Sequence, residues 1–217
     1  MLGYLQTFWE QFNWSTLLEA VLRMAGILLC LTVHETCHGL AALALGDPTA
    51  KRQNRLSLNP LKHIDWLGLA AMFICGFGWA KPVQVDMRSF KNPRRGMALT
   101  ALAGPVSNFL LALALLFGAS LLSRLPANAA VYEVFYFLID TAVLSIGLGL
   151  FNLVPIPPLD GSKVLFSLLP ERLYYTLMRY EHLGMLVLLV IVSLDLGGSY
   201  LSNAIIGVFQ WMAGLFF

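Results

Sequence analysis

Three long apolar runs set the pattern of this chain: Leu17 to Leu45, Met97 to Leu122 and Val131 to Val154. At about 1.5 Å per residue, a helix over each is long enough to cross a hydrocarbon layer about 30 Å thick. The first run stops at Gly46-Asp47-Pro48, where Gly suits a helix C-terminus and Pro cannot continue the ladder. The chain turns apolar again over residues 183–216, interrupted at Asp195-Leu196-Gly197-Gly198. That region reads as one broken span or two short helices.

The intervening segments are shorter and mixed. Trp66 to Trp79 is apolar but broken by Gly68, Gly76 and Gly78, and it runs into Lys81-Pro82 and the alternating Val83-Gln84-Val85. Residues 66–85 are therefore expected to form a re-entrant segment or a membrane-embedded β-hairpin. Irregular backbone is tolerated at membrane depth only against protein or a wet cavity, so this piece is expected to line the site. Residues 162–182 mix charge with aromatics and predict an interfacial helix. Residues 1–16 predict an interfacial N-terminus anchored by Trp9 and Trp14, with no removable signal peptide. The expected architecture is one membrane-embedded domain over residues 1–217. It is an all-α polytopic protein with about five or six transmembrane helices and a re-entrant or β-hairpin segment near the polar cluster at residues 34–38.

Composition agrees with the pattern. The 217 residues are 58% hydrophobic and 12% charged, with a mean hydropathy of +0.73; soluble domains carry roughly 25% charged residues. A net charge of +2 without a basic, aromatic-interleaved array excludes a nucleic-acid partner. Cys30, Cys37 and Cys75 all lie in apolar stretches and define no disulfide framework, although Cys30 shares a helix face with His34.

Charge also sets an orientation. With the segment after the first span inside and residues 66–80 re-entering, twelve of the 14 Lys and Arg residues face the cytoplasm, and Arg23 and Arg124 fall elsewhere. The positive-inside rule favours this topology in a cell (inner or plasma) membrane. It puts His38 about 12 Å from the inner end of the first span and Asp160 at the inner end of the third.

Candidate chemistry sits in the first span, at His34-Glu35-Thr36-Cys37-His38. Positions i and i+4 share a helix face, so both imidazoles can reach one metal ion, with Glu35 beside them to take a proton from a bound water. Burying such groups unpaired at membrane depth is costly, which argues against a chance match. A catalytic zinc needs three protein ligands and an open position. Asp160, in the break Pro155-Ile156-Pro157-Pro158-Leu159-Asp160-Gly161, is the choice for the third. Taken alone, Asp160 reads better as a solvated turn residue at the interface; paired with the histidines on the same side, metal ligation overtakes that reading. Asn108 and Asn152 are polar groups in apolar spans. They serve either helix–helix hydrogen bonding or contact with substrate backbone and developing oxyanion. His63 is expected to be structural at the interface, with an accessory proton or metal role as the alternative, and His182 and Asp195 to sit at span ends. The expected metal is one Zn2+ per chain.

These motifs resemble the site-2 protease family of intramembrane zinc metalloproteases over nearly the whole chain. His34 to His38 resembles its first motif. Asn152-Leu153-Val154-Pro155-Ile156-Pro157-Pro158-Leu159-Asp160-Gly161 is similar to its second, where the resemblance makes Asp160 the third zinc ligand. Gly46 to Ala50, Asn59-Pro60, Gly76 to Val83 and Ala103-Gly104-Pro105 with Asn108 resemble further stretches of the compact bacterial branch, which has no PDZ-like or CBS-like domain. The resemblance implies hydrolysis of peptide bonds within transmembrane segments, often to release a signalling domain. Substrates would be selected by the membrane domain itself or by a separate adaptor. A non-enzymatic alternative is a metal carrier or a silent relative that binds helices. A carrier needs ionisable groups along a path through the spans, whereas here they cluster at one depth.

Overall fold

The computed structural model describes residues 14–66, 68, 81–194 and 196–217. Most of residues 1–16, most of residues 66–85 (expected to re-enter the membrane or to form a β-hairpin), Cys75, Asp195 and the His182 side chain lie outside the described residues.

Every labelled element is a helix, and the local sequence sets its ends. Helix α1, Trp14–Ala44, carries the first apolar run. It closes at Gly46, whose φ of +107° favours glycine. There the Gly46 N–H donates to the Leu43 carbonyl and the Asp47 N–H to that of Ala42. A four-residue helix α2, Thr49–Arg52, follows. Helix α3, Pro93–Leu122, begins four residues before its apolar run. The Asn92 side chain caps the Arg95 N–H at 3.2 Å and Pro93 opens the first turn. Helix α4, Ala129–Leu153, is capped the same way, with Asn128 accepting from the Val131 N–H at 3.0 Å. Apolarity marks the part of a helix suited to hydrocarbon, while caps mark where the helix begins; the polar first turns account for the difference.

The segment expected as one interfacial helix is two: α5, Asp160–Ser167, and α6, Glu171–Arg179, separated at Pro170. The apolar region after residue 182 is also two helices, α7, Glu181–Ser193, and α8, Gly198–Ala213. Gly197, at φ +92°, precedes α8. Residues 81–86 carry no regular secondary structure, and no strand occurs among the described residues. The hairpin expected around Val83-Gln84-Val85 therefore has no strand there, because the Val83 N–H is used by a side chain instead.

Among the described residues, three helices are long and apolar enough to cross a membrane: α1, α3 and α4, with mean hydropathies of 1.7, 1.9 and 2.0. The count rises to four if α6 and α7, bent by 67°, form one broken span. Helices α7 and α8, at 13 and 16 residues, are each shorter than the roughly 20 residues a crossing needs, and the five or six spans expected of the whole chain include residues outside this count.

Helix α3 is the centre of the packing, with contacts to α1, α4, α5 and α8. Leu99, Val106, Leu110, Phe117 and Leu121 lie exposed at spacings of seven and four, a face suited to lipid. Thr100, Gly104, Asn108 and Ala112 repeat every four residues on the buried face. One half of that face builds an apolar cluster of Ala112, Leu115 and Leu116 with Ala142, Ile146 and Met212. The other half meets α1 and carries the polar groups.

Asp47 ties the end of α1 to the segment that approaches the site. It is fully buried, and its Oδ1 accepts from the Thr49 N–H at 2.9 Å while Oδ2 accepts from the Asp86 N–H at 2.7 Å. Burial opposes its charge, yet these donors, with the Thr49 and Ser89 hydroxyls, hold its carboxyl below the ordinary carboxylate range. Stability from this group is present above the unfolded carboxyl pKa of about 4 and is lost as pH falls through the lower folded value. Asp47→Ala is expected to strand its donors, to cost about 1–3 kcal/mol per buried group and to loosen residues 81–86. Thermal unfolding in detergent at pH 7 and pH 3 checks this: the gap between wild type and variant should shrink in acid.

Candidate metal centre

The donors come from two helices held by a third. His34 and His38 are one turn apart on α1, with ring centroids 4.5 Å apart and planes at 89°. Asp160 is the first residue of α5. The turn that delivers it is tight: a Cβ on Gly161 would collide with the backbone of Leu153 and Val154. All three side chains are buried.

Their reactive atoms form a small triangle. His34 Nε2 and His38 Nε2 are 3.0 Å apart, and Asp160 Oδ2 lies 3.2 Å from the first and 3.1 Å from the second. Tetrahedral zinc with bonds of about 2.0–2.1 Å separates its donors by roughly 3.3 Å. Proton placement supports the same conclusion. The His38 Nδ1–H donates to the Thr100 carbonyl at 2.7 Å, and a carbonyl can only accept. In the neutral ring, Nε2 then points a bare lone pair at another imidazole and a carboxylate oxygen. Two imidazole nitrogens and a carboxylate oxygen converging in a buried site fit a cation, and among the described residues His34, His38 and Asp160 are the group that could hold one.

Lys163 stands 3.6 Å from the other Asp160 oxygen, Oδ1, one turn along α5. Burial works against the Asp160 charge, but the two imidazoles and Lys163 hold its carboxyl well below the ordinary range. Glu35, half-buried, faces a cavity of about 540 Å3 that the three donors also line. Its Oε2 accepts from the Val83 N–H at 2.9 Å, so residues 81–86 close one wall of the site.

Helix α3 makes room for the imidazoles at Gly104. A Cβ there would lie 2.5 Å from His38 Cε1 and Nε2 and 2.6 Å from His34 Cε1. Thr100 and Asn108, one turn to either side, reach the outer nitrogens of the two rings.

The structure separates the other candidates. Asn152 lines the cavity, and its Nδ2 donates to the Leu148 carbonyl at 3.0 Å. Asn108 is fully buried against His34 and is not part of the cavity lining. Cys30 is buried beneath α4, its Sγ 3.7 Å from the Thr141 carbonyl. His63 is a buried loop residue whose Nε2 meets the Ser57 carbonyl at 2.8 Å. Sequence reasoning missed Thr100, Lys163 and the role of Gly104. Lys163 was open to detection as the i+3 neighbour of Asp160. The Thr100 group is a backbone carbonyl, which leaves no mark in a sequence.

A buried group of three possible metal donors with a carboxylate beside it, among helices suited to a bilayer, fits a membrane metalloprotease. Comparison with known proteins agrees. Residues 120–194 match the model of peptidase family M50. The protein named "Putative zinc metalloprotease YwhC" of Bacillus subtilis (strain 168) is 38% identical over 180 residues, 81% of this chain and 81% of that protein. The proteins named "Putative zinc metalloprotease Rip2" of Mycolicibacterium smegmatis and Mycobacterium tuberculosis (strain H37Rv) are each 31% identical, over 79% and 90% of this chain and 66% and 74% of their own lengths. No solved structure matches the chain. The chain belongs to peptidase family M50, the site-2 protease family of zinc metalloproteases.

Proposed function

We propose that this protein hydrolyses peptide bonds within transmembrane segments of other membrane proteins. Zinc is held by His34, His38 and Asp160, and Glu35 is the general base. The observation that carries the proposal is the convergence of the three donor atoms, all within 4.8 Å of one another, on a cavity that Glu35 also lines.

Zinc bound there would make its water a nucleophile near neutral pH and polarise the scissile carbonyl. The chain supplies the rest. The Val83 N–H fixes Glu35 Oε2, which leaves Oε1 to take the water proton and pass it to the leaving amine. Lys163 keeps Oδ1 of Asp160 turned away from the donor triangle. A second cavity, about 470 Å3 and mostly apolar, shares Leu31, Leu148 and Phe151 with the first. It offers an apolar segment room beside the donors, which supports a substrate drawn from the bilayer. The basic loops support placement in the cell membrane with the site near the cytoplasmic side. The membrane-embedded domain covers residues 1–217, and its partners are transmembrane substrates in the bilayer, with a separate adaptor as a further candidate.

Bound-metal analysis of the purified chain tests the site, alongside cleavage of single-span model peptides in liposomes. Wild type should carry one zinc and cleave. Asp160→Ala, which removes one of three ligands, should lose zinc by at least about 10–100-fold in affinity and with it the cleavage. Zinc retained in full by Asp160→Ala would remove Asp160 from the ligand set.

A further inference from the structure

His34 and His38 are held differently at their outer nitrogens. His38 Nδ1 meets a backbone carbonyl, which can only accept, so its tautomer is fixed by the fold. His34 Nδ1 meets the Asn108 side-chain amide, with Nδ2 at 3.3 Å. An amide can do either job: its NH2 donates and its oxygen accepts. In the arrangement seen, Nδ2 faces His34, whereas Oδ1 is buried with no hydrogen-bond partner. No hydrogen bond therefore holds Oδ1 in place, and an amide turned by 180° occupies almost the same volume.

The proton inventory gives this ambiguity a purpose. With Nδ2–H donating to His34 Nδ1, the neutral imidazole carries its proton on Nε2. That proton is directed at Asp160 Oδ2, 3.2 Å away. In that form His34 Nε2 has no free lone pair to offer a cation. A metal-ligating His34 needs the opposite tautomer, with Nδ1 protonated and Nε2 bare. The amide then has to present Oδ1.

We infer that Asn108 is a positioning residue for the metal centre: its amide turns to accept from His34 Nδ1–H and thereby selects the tautomer that ligates zinc. This rests on the reading of His34 as a ligand. The placement supports the role. Asn108 lies fully buried on α3, one turn beyond Gly104, and its main-chain carbonyl accepts from the Ser145 hydroxyl at 2.8 Å, which anchors it to α4. It is outside the cavity lining, so substrate does not touch it. Two adjacent ligands are thus oriented by one face of α3, one by main chain and one by an amide.

The test uses the full chain in detergent, with zinc itself as the probe, competed against a chelator. Asn108→Leu has neither donor nor acceptor and should weaken zinc binding about 10–100-fold. Asn108→Asp only accepts and should keep affinity at or above wild type. A readout that mere packing would not move is the ring 15N signal of His34. In the metal-free protein it should report the Nε2–H form for wild type and the Nδ1–H form for Asn108→Asp. Folded Asn108→Leu with wild-type zinc affinity overturns the inference. Should Asn108→Leu not fold, Asn108→Asp decides: an unchanged His34 tautomer, or zinc loss, overturns it. Wild type that binds no zinc would instead sink the zinc-site reading.

Discussion

Glu35→Gln is expected to leave zinc in place and to slow cleavage of a membrane-span peptide by about 10²–10⁴-fold, the usual contribution of a positioned general base. The separation of the two readouts is the point of the experiment. Glu35 is not one of the three converging donors, so its carboxylate contributes little to holding the ion. A glutamine has nearly the same shape and can still accept from the Val83 N–H, so the wall made by residues 81–86 stays. What glutamine cannot do is take a proton at neutral pH. Zinc content and peptide cleavage, measured on the same preparation, check it. Cleavage near the wild-type rate would mean another group is the base, and lost zinc would mean that Glu35 helps to hold the metal.

Gly104→Ala is expected to abolish tight zinc binding, with affinity falling at least about 100-fold, and to remove activity with it. The added methyl would lie 2.5 Å from two atoms of the His38 ring, whereas carbon contacts settle at about 3.5–4.0 Å. About an ångström must be found. The rings cannot readily supply it, because Thr100 and Asn108 on the same helix hold their outer nitrogens. A zinc site tolerates only about 0.2 Å of error in its bonds, so a forced shift of this size falls on the donors. Secondary structure should survive, since alanine favours a helix more than glycine does. Metal analysis together with circular dichroism separates the outcomes: a helical protein that has lost zinc is the expected one. Full zinc occupancy would show that α3 can withdraw from α1.

These two residues differ in how openly the sequence displays them. Glu35 could be read directly, because a five-residue motif on a helix brings its own geometry. Gly104 could be noted as part of a motif but not assigned a task, since its task is to be absent from a space filled by another helix. Lys163 falls between: its spacing from Asp160 is visible, but whether it faces the site depends on how α5 leaves the turn at Gly161.

The three long spans, their order and the proximity of His34, Glu35 and His38 were determined by sequence alone, because each depends on local periodicity and solvent preference. The starts of α3 and α4 followed caps at Asn92 and Asn128 that the apolar runs do not include, and so fell earlier than the runs. The division of residues 183–216 into two helices depended on the break before α8, and its effect on span count emerged only when the lengths were known. The site needed the tertiary structure most. Asp160 Oδ2 lies 126 positions along the chain from His34, yet 3.2 Å away. The groups that orient the imidazoles are a backbone carbonyl, an amide and a missing side chain on α3. Local pattern can say which residues are able to bind a metal. Only packing brings them within bonding distance and sets their protons.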